Sequence, residues 1–133
     1  MTVRVSNATD VVNAKEGKLD PSKVRTIDVR CFVDTGATLL CLTPELIAQL
    51  GLTRMSSQKC TTANGIVERW VWSPAHVACQ DRDAFVEVME MPPDGRPLLG
   101  YLALERMDLV VNPRKGTLEG NPDHDGKMLL DLL

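Results

Sequence analysis

The stretch Phe32-Val33-Asp34-Thr35-Gly36-Ala37-Thr38 decides how this chain of 133 residues is read. It closes a run in which Ile27, Val29, Cys31 and Val33 fall on one face, and Thr26, Asp28, Arg30 and Phe32 on the other. That alternation predicts a half-buried β-strand. The strand delivers a carboxylate, Asp34, to the end of an apolar run. An ionised carboxylate in such a place costs several kcal/mol unless donors or a shared proton compensate. Gly36 permits a tight turn that aims amide N–H groups back at the carboxylate, and Thr35 adds a hydroxyl. A second apolar run, Leu39 to Leu42, resumes at once. Taken alone, Asp-Thr-Gly also fits an ordinary turn between two strands.

The downstream order changes that reading. Pro97-Leu98-Leu99-Gly100 is a short apolar run ending in glycine, followed by the helix-like Tyr101 to Met107 and the strand-like Asp108-Leu109-Val110-Val111-Asn112. From about Val24 to Leu118, this succession resembles the retropepsin family of single-domain, retroviral-type aspartic proteases, and most of all its small stand-alone bacterial members. The resemblance implies an all-β fold: a closed acid-protease barrel with one or two short helices. It implies one domain over residues 1–133, made of an N-terminal strand and loop (1–23), a protease core (24–118) and a tail (119–133).

Composition is compatible with that expectation. The chain is 44% hydrophobic and 25% charged, with 15 basic against 18 acidic residues, ordinary for a globular domain able to bury a core. No basic stripe points to nucleic acid, and no Lys/Arg cluster points to a membrane surface. No window approaches the ~18 apolar residues of a membrane span, and the N-terminus lacks a signal-peptide core. A cytoplasmic, stand-alone product is the expectation. Cys31, Cys41, Cys60 and Cys79 form no Cys-x-x-Cys pair and stand apart from both histidines. The expectation is therefore reduced thiols, no metal site and no cofactor. Asn7-Ala8-Thr9 matches a glycosylation acceptor, which means nothing without secretion.

Along the chain, Thr2 to Val5 reads as a first strand and Asn13 to Lys23 as a polar loop. Thr43-Pro44-Glu45 opens a helix that Gly51 ends, with Leu46, Ile47 and Leu50 turned inward. Gln58 to Trp72 reads as a hairpin with a type I′ turn at Asn64-Gly65. Trp70 and Trp72 share a face and are expected in the core. Ala75 to Cys79 and Ala84 to Met91 read as strands joined at Gln80 to Asp83, with His76 a partly exposed strand residue. His124, between Asp123 and Asp125, reads as part of a solvated loop. The apolar end, Met128 to Leu133, is expected to dock, with a partner subunit as one surface for it.

By resemblance, Asp34, Thr35 and Gly36 are the catalytic triplet. Thr35 would brace the two loops of a dimer. Leu98, Leu99 and Gly100 would support the active loop from behind. Ala37 and the hairpin tip, Ala63, Asn64, Gly65 and Ile66, would meet substrate, the tip acting as a flap. Tyr101-Leu102 stand where retroviral enzymes often carry Arg-Asn or Arg-Asp, so that arginine brace is absent or replaced. Aspartate-driven peptide hydrolysis needs two carboxylates sharing a proton around one water, and the chain holds one such triplet. The implied enzyme is a homodimeric endopeptidase acting on extended peptides, with an optimum nearer mildly than strongly acidic pH. The alternative from another class is a catalytically silent dimerisation or peptide-binding module on the same fold. A plain β-domain with an accidental triplet leaves the order of hairpin, Leu-Leu-Gly and helix unexplained.

Overall fold

A computed structural model describes residues 1–132. Ten strands and three short helices follow one another: β1 (Thr2–Asn7), α1 (Ala8–Lys15), β2 (Thr26–Arg30), β3 (Phe32–Val33), β4 (Leu40–Leu42), α2 (Pro44–Leu50), β5 (Arg54–Thr62), β6 (Gly65–Cys79), β7 (Arg82–Glu90), β8 (Leu98–Leu99), α3 (Tyr101–Arg106), β9 (Leu109–Asn112) and β10 (Thr117–Gly120). The main sheet runs β2-β1-β6-β7-β4-β8-β3, with β5 added on β6, while β9 and β10 form a separate antiparallel pair.

The two ends of that path, β2 and β3, are consecutive in the chain. At Cys31 the strand changes partner: its N–H donates to Met1 O at 2.7 Å, while that of Phe32 donates to Pro97 O at 2.9 Å. The sheet thus curls so that a single stretch, residues 26–33, supplies both of its ends, and the mostly β fold expected from the sequence holds, as a curled half-barrel with three short helices where one or two were expected. The predicted alternation also holds, with Val29 and Cys31 buried inside and Phe32 51% exposed outside. The core gathers Val3, Val5, Leu40, Leu42, Ile47, Leu50, Val77, Val88, Leu99 and Met107.

Helix α2 forms as its caps predict. The Thr43 side chain accepts from Leu46 N, Pro44 takes the first turn, and Gly51 ends it at φ +63°. Helix α1 corrects the loop expected across Asn13 to Lys23, since it reaches Lys15, and a 3-10 turn follows at Pro21–Lys23. The sequon asparagine explains it. Asn7 is buried, its Oδ1 accepts from Asp10 N at 3.0 Å, and its Nδ2 donates to Leu50 O at 2.9 Å. Asp10, also buried, takes Arg25 Nε at 2.8 Å and Nη2 at 2.9 Å. Those guanidinium bonds hold its carboxyl below the usual range.

Two turns differ from the expected ones. Thr62 pairs with Gly65, so the β5–β6 turn is Ala63-Asn64 rather than Asn64-Gly65. Positive φ falls on Gly65 alone, at +111°, which is not a type I′ turn. That backbone occurs one hairpin later: Gln80 and Asp81, at φ +52° and +64°, make the tight β6–β7 turn, and β7 starts at Arg82. The tryptophans also depart from expectation. Trp70 is exposed beneath the Arg54 guanidinium, 4.2 Å from its ring centroid, and only Trp72 packs on the core. His76 is paired, its Nε2 lying 2.7 Å from Asp83 Oδ2.

The expected solvated loop around His124 is instead a clamp. His124 Nδ1 lies 2.5 Å from Asp108 Oδ2 and Nε2 lies 3.1 Å from Asp131 Oδ1. A ring set between two carboxylate side chains is favoured in its protonated, doubly donating form. Asn121 Nδ2 and Leu129 N also donate to the Asp108 carboxylate, and Arg82 donates to the carbonyls of Met107, Asp108 and Gly126. The leucines of the tail do not dock within the chain: Leu129, Leu130 and Leu132 are exposed. The same expectation for Leu133 lies outside the described residues.

The bond to Asp108, then that to Asp131, raises the His124 pKa above 6.5, and the bond to His124 lowers that of Asp108 below 3.8. A raised histidine stabilises fully below its unfolded pKa, and the effect is lost as pH rises through the folded one. A depressed aspartate stabilises above its unfolded pKa, and the effect is lost as pH falls. Hydrogen exchange over residues 121–131 should therefore be slowest, relative to a His124→Gln variant, between about pH 4 and pH 6.5. The difference should shrink on raising the pH further; a pH-independent difference contradicts the imidazolium.

Candidate active site

The loop from Asp34 to Leu39 leaves β3 and enters β4, and β8 lies between those two strands. β3 pairs with β8 in parallel, Phe32 with Leu98 and Val33 with Leu99, while β4 meets β8 antiparallel at Cys41 and Leu98. Residues far apart in sequence thus meet under one loop. Three backbone bonds hold the loop to β8 and α3, and a fourth bond, from Gly36, lies within the loop. Asp34 N donates to Leu99 O at 3.1 Å, and Gly36 N donates to Asp34 Oδ1 at 2.9 Å. Tyr101 N donates to Ala37 O at 2.9 Å, and Leu102 N to Thr38 O at 3.2 Å. The last two amides open α3 and have no partner inside the helix, so the loop carbonyls cap it.

Glycine matters at two positions for lack of room. A Cβ on Gly36 would come 3.1 Å from Asp34 Oδ1, so the carboxylate would have to give by a few tenths of an ångström. A Cβ on Gly100 would lie 2.5 Å from Leu39 O and 2.7 Å from Ala37 O. Leu99, fully buried, anchors the platform from inside. Leu98, Leu99 and Gly100 therefore lie directly behind Asp34, Thr35, Gly36 and Ala37. Asp34, Thr35 and Gly36 are exposed. Among the described residues, the Thr35 hydroxyl makes no hydrogen bond within the chain.

At the hairpin tip, Ala63, Asn64, Gly65 and Ile66 are exposed, Ile66 by 73%, and among the described residues no hydrogen bond joins them to the Asp34 loop. The approach is made lower down, by residues the sequence did not single out for it. Cys60 of β5 places Sγ 3.5 Å from Met89 Sδ, and Met89 pairs with Cys41. Burial, then the neighbouring Cys60 thiol and the Asp34 carboxylate, pushes the Cys41 thiol up to about 11. It stays protonated at neutral pH, a weak nucleophile. All four cysteines are free, and no three His, Cys, Asp or Glu side chains among the described residues are grouped to hold a metal ion.

The family model described as "gag-polyprotein putative aspartyl protease" matches residues 21–106. That span is well over half the chain and contains both the Asp34 loop and the Gly100 platform. The chain belongs to this family. It is a retropepsin-like member of the aspartic proteases. Among solved structures it is similar to the simian foamy virus (mac) protease, at 22% identity and a TM-score of 0.43, covering 58% of this chain and 80% of that one. It is also similar to the EIAV protease complexed with the inhibitor HBY-793, at 17% identity and a TM-score of 0.45, covering 79% and 83%. No curated protein sequence matches significantly.

Proposed function

We propose that this retropepsin-like chain is an aspartic endopeptidase whose site is completed by a second copy of itself. One observation carries the reading: Asp34 stands exposed on a loop fixed by three backbone bonds to β8 and α3, and no second Asp-Thr-Gly or Asp-Ser-Gly occurs in the sequence. A loop so tightly built around one carboxylate is half of a catalytic pair. A C₂ dimer supplies the other half, since an isologous contact brings the same residue from each copy to the axis.

In that pair the two Asp34 carboxylates share one proton, because like charges a few ångströms apart cannot both ionise. The ionised one takes a proton from the water between them as the water attacks the scissile carbonyl. The protonated one donates to the carbonyl oxygen as it becomes the gem-diol. Return of a proton to the amide nitrogen releases the amine, with no covalent enzyme intermediate. The Gly36 amide keeps each carboxylate oriented, and the unpartnered Thr35 hydroxyl is available to brace the loops across the axis. The β5–β6 hairpin acts as the flap over an extended peptide.

Specific activity should fall on dilution in step with the dimer fraction measured by sedimentation velocity. Adding excess Asp34→Asn protein to wild type should lower activity further, because mixed dimers hold one competent carboxylate. A monomer with undiminished specific activity would overturn the two-copy site.

A further inference from the structure

We propose that Arg30 and Arg96 make a substrate subsite, beside Asp34, that selects an acidic side chain. This inference rests on the peptidase reading and deepens it. On the stretch 26–34, alternation puts Arg30 and Phe32 on the outer face that also carries Asp34. Phe32 stands two residues from Asp34, roughly 7 Å along an extended strand, which matches the spacing of same-side residues in an extended peptide. The ring is half exposed although its neighbour Cys31 is buried. Arg96, from the turn before β8, lies over it with Cζ 5.1 Å from the ring centroid.

A cavity of about 460 Å³ opens here, lined by Arg30, Phe32, Gly95, Arg96 and Pro97 together with Met1 and Cys31. That volume is within the usual range of small ligand sites. No acidic residue lines it. Asp28, the next acid on the same face, is occupied by Arg4 at 3.2 Å. Among the described residues, neither Arg30 nor Arg96 has a carboxylate within salt-bridge distance. Two cations and an aromatic floor fit a carboxylate carried on a short aliphatic stem: Glu, with Asp next. The stem lies on the Phe32 ring, and the stacked guanidinium is held ready to bond the carboxylate through two N–H groups. A Lys or Arg in the same place meets two like charges.

Digestion of a peptide library, with products read by mass spectrometry, should show Asp and Glu enriched at one position near the cut. For peptides differing only there, the Glu-over-Lys ratio in kcat/KM should fall by about tenfold in Arg96→Glu, through KM, with a smaller fall in Arg30→Glu. The wild-type preference should weaken with added salt. Both side chains are exposed, so melting curves should stay near wild type. Cleavage without acidic enrichment, or enrichment that survives both reversals, overturns the subsite and leaves the peptidase standing.

If wild type cleaves nothing, the peptidase reading fails and the site is judged by binding alone. N-acetylglutamate methylamide, but not N-acetylglutamine methylamide, should then shift the side-chain N–H signals of Arg30 and Arg96 saturably in Asp34→Asn protein. Equal responses, or a response to the free α-carboxylate of N-acetylglutamine as strong as to the glutamate side chain, overturn the assignment.

Discussion

Asp34→Asn will abolish peptide hydrolysis and leave the protein folded. The mutant side chain keeps an oxygen where Oδ1 accepts from the Gly36 amide, so the loop retains that bond. What it loses is the ability to ionise, and with it both the base that activates water and the shared proton. A fall on the order of 10³-fold or more in kcat is expected, read by mass spectrometry of peptide products. Because Asp34 is exposed, the melting transition should move by no more than about 0.5 kcal/mol. Turnover that persists in Asp34→Asn puts the chemistry elsewhere. Absence of turnover in a folded, dimeric wild type, with peptide binding intact in both proteins, makes the chain a silent binding module of this family.

Gly100→Ala should damage stability and activity together. The added methyl would run into the carbonyls of Leu39 and Ala37, and neither can swing aside as a flexible side chain would. Relief requires β8 and the loop to move apart, which stretches the bonds from Tyr101 N and Leu102 N that cap α3. Overpacking of this kind costs about 1–3 kcal/mol, a fall of several degrees in the melting midpoint for a domain of this size. The protein that still folds carries a displaced Asp34, and a shift near 1 Å costs about 100-fold in rate. Circular dichroism melts and kcat on the folded fraction check both halves. An alanine variant with wild-type stability would mean that the loop does not rest on residue 100.

Much of this arrangement was legible in the chain because its signals are local. Period-two alternation marked residues 26–33, and Thr43-Pro44 with Gly51 marked α2. Leu98-Leu99-Gly100 was visible as a unit, although nothing local shows that the next two amides bond the carbonyls of Ala37 and Thr38. Helix α1 was hidden for a related reason. Its cap, Asn7, is the last residue of a strand, and its hold on the fold comes from Leu50 and Arg25, far along the chain. His124 looked solvated among polar neighbours because its decisive partner, Asp108, precedes it by the whole β9–β10 pair and the turn that joins them. The only nearby hint was Asn121-Pro122-Asp123, a capping pattern that the structure uses. The β5–β6 turn was misjudged because Asn-Gly is a statistical preference, whereas the backbone took two consecutive positive φ values at Gln80-Asp81, where β6 and β7 fix the register.

The change of partner at Cys31 bears on when the loop is assembled as well as where it sits. Neighbouring hairpins such as β6–β7 need only short loops to close, but the pairing of Phe32 with Leu98 joins points about half the chain apart. Loop-closure entropy makes such a contact slow to gain. The Asp34 N–H donates to the Leu99 carbonyl across that same long-range pairing. A molecule in which β3 and β8 have not yet paired therefore carries Asp34 without that support.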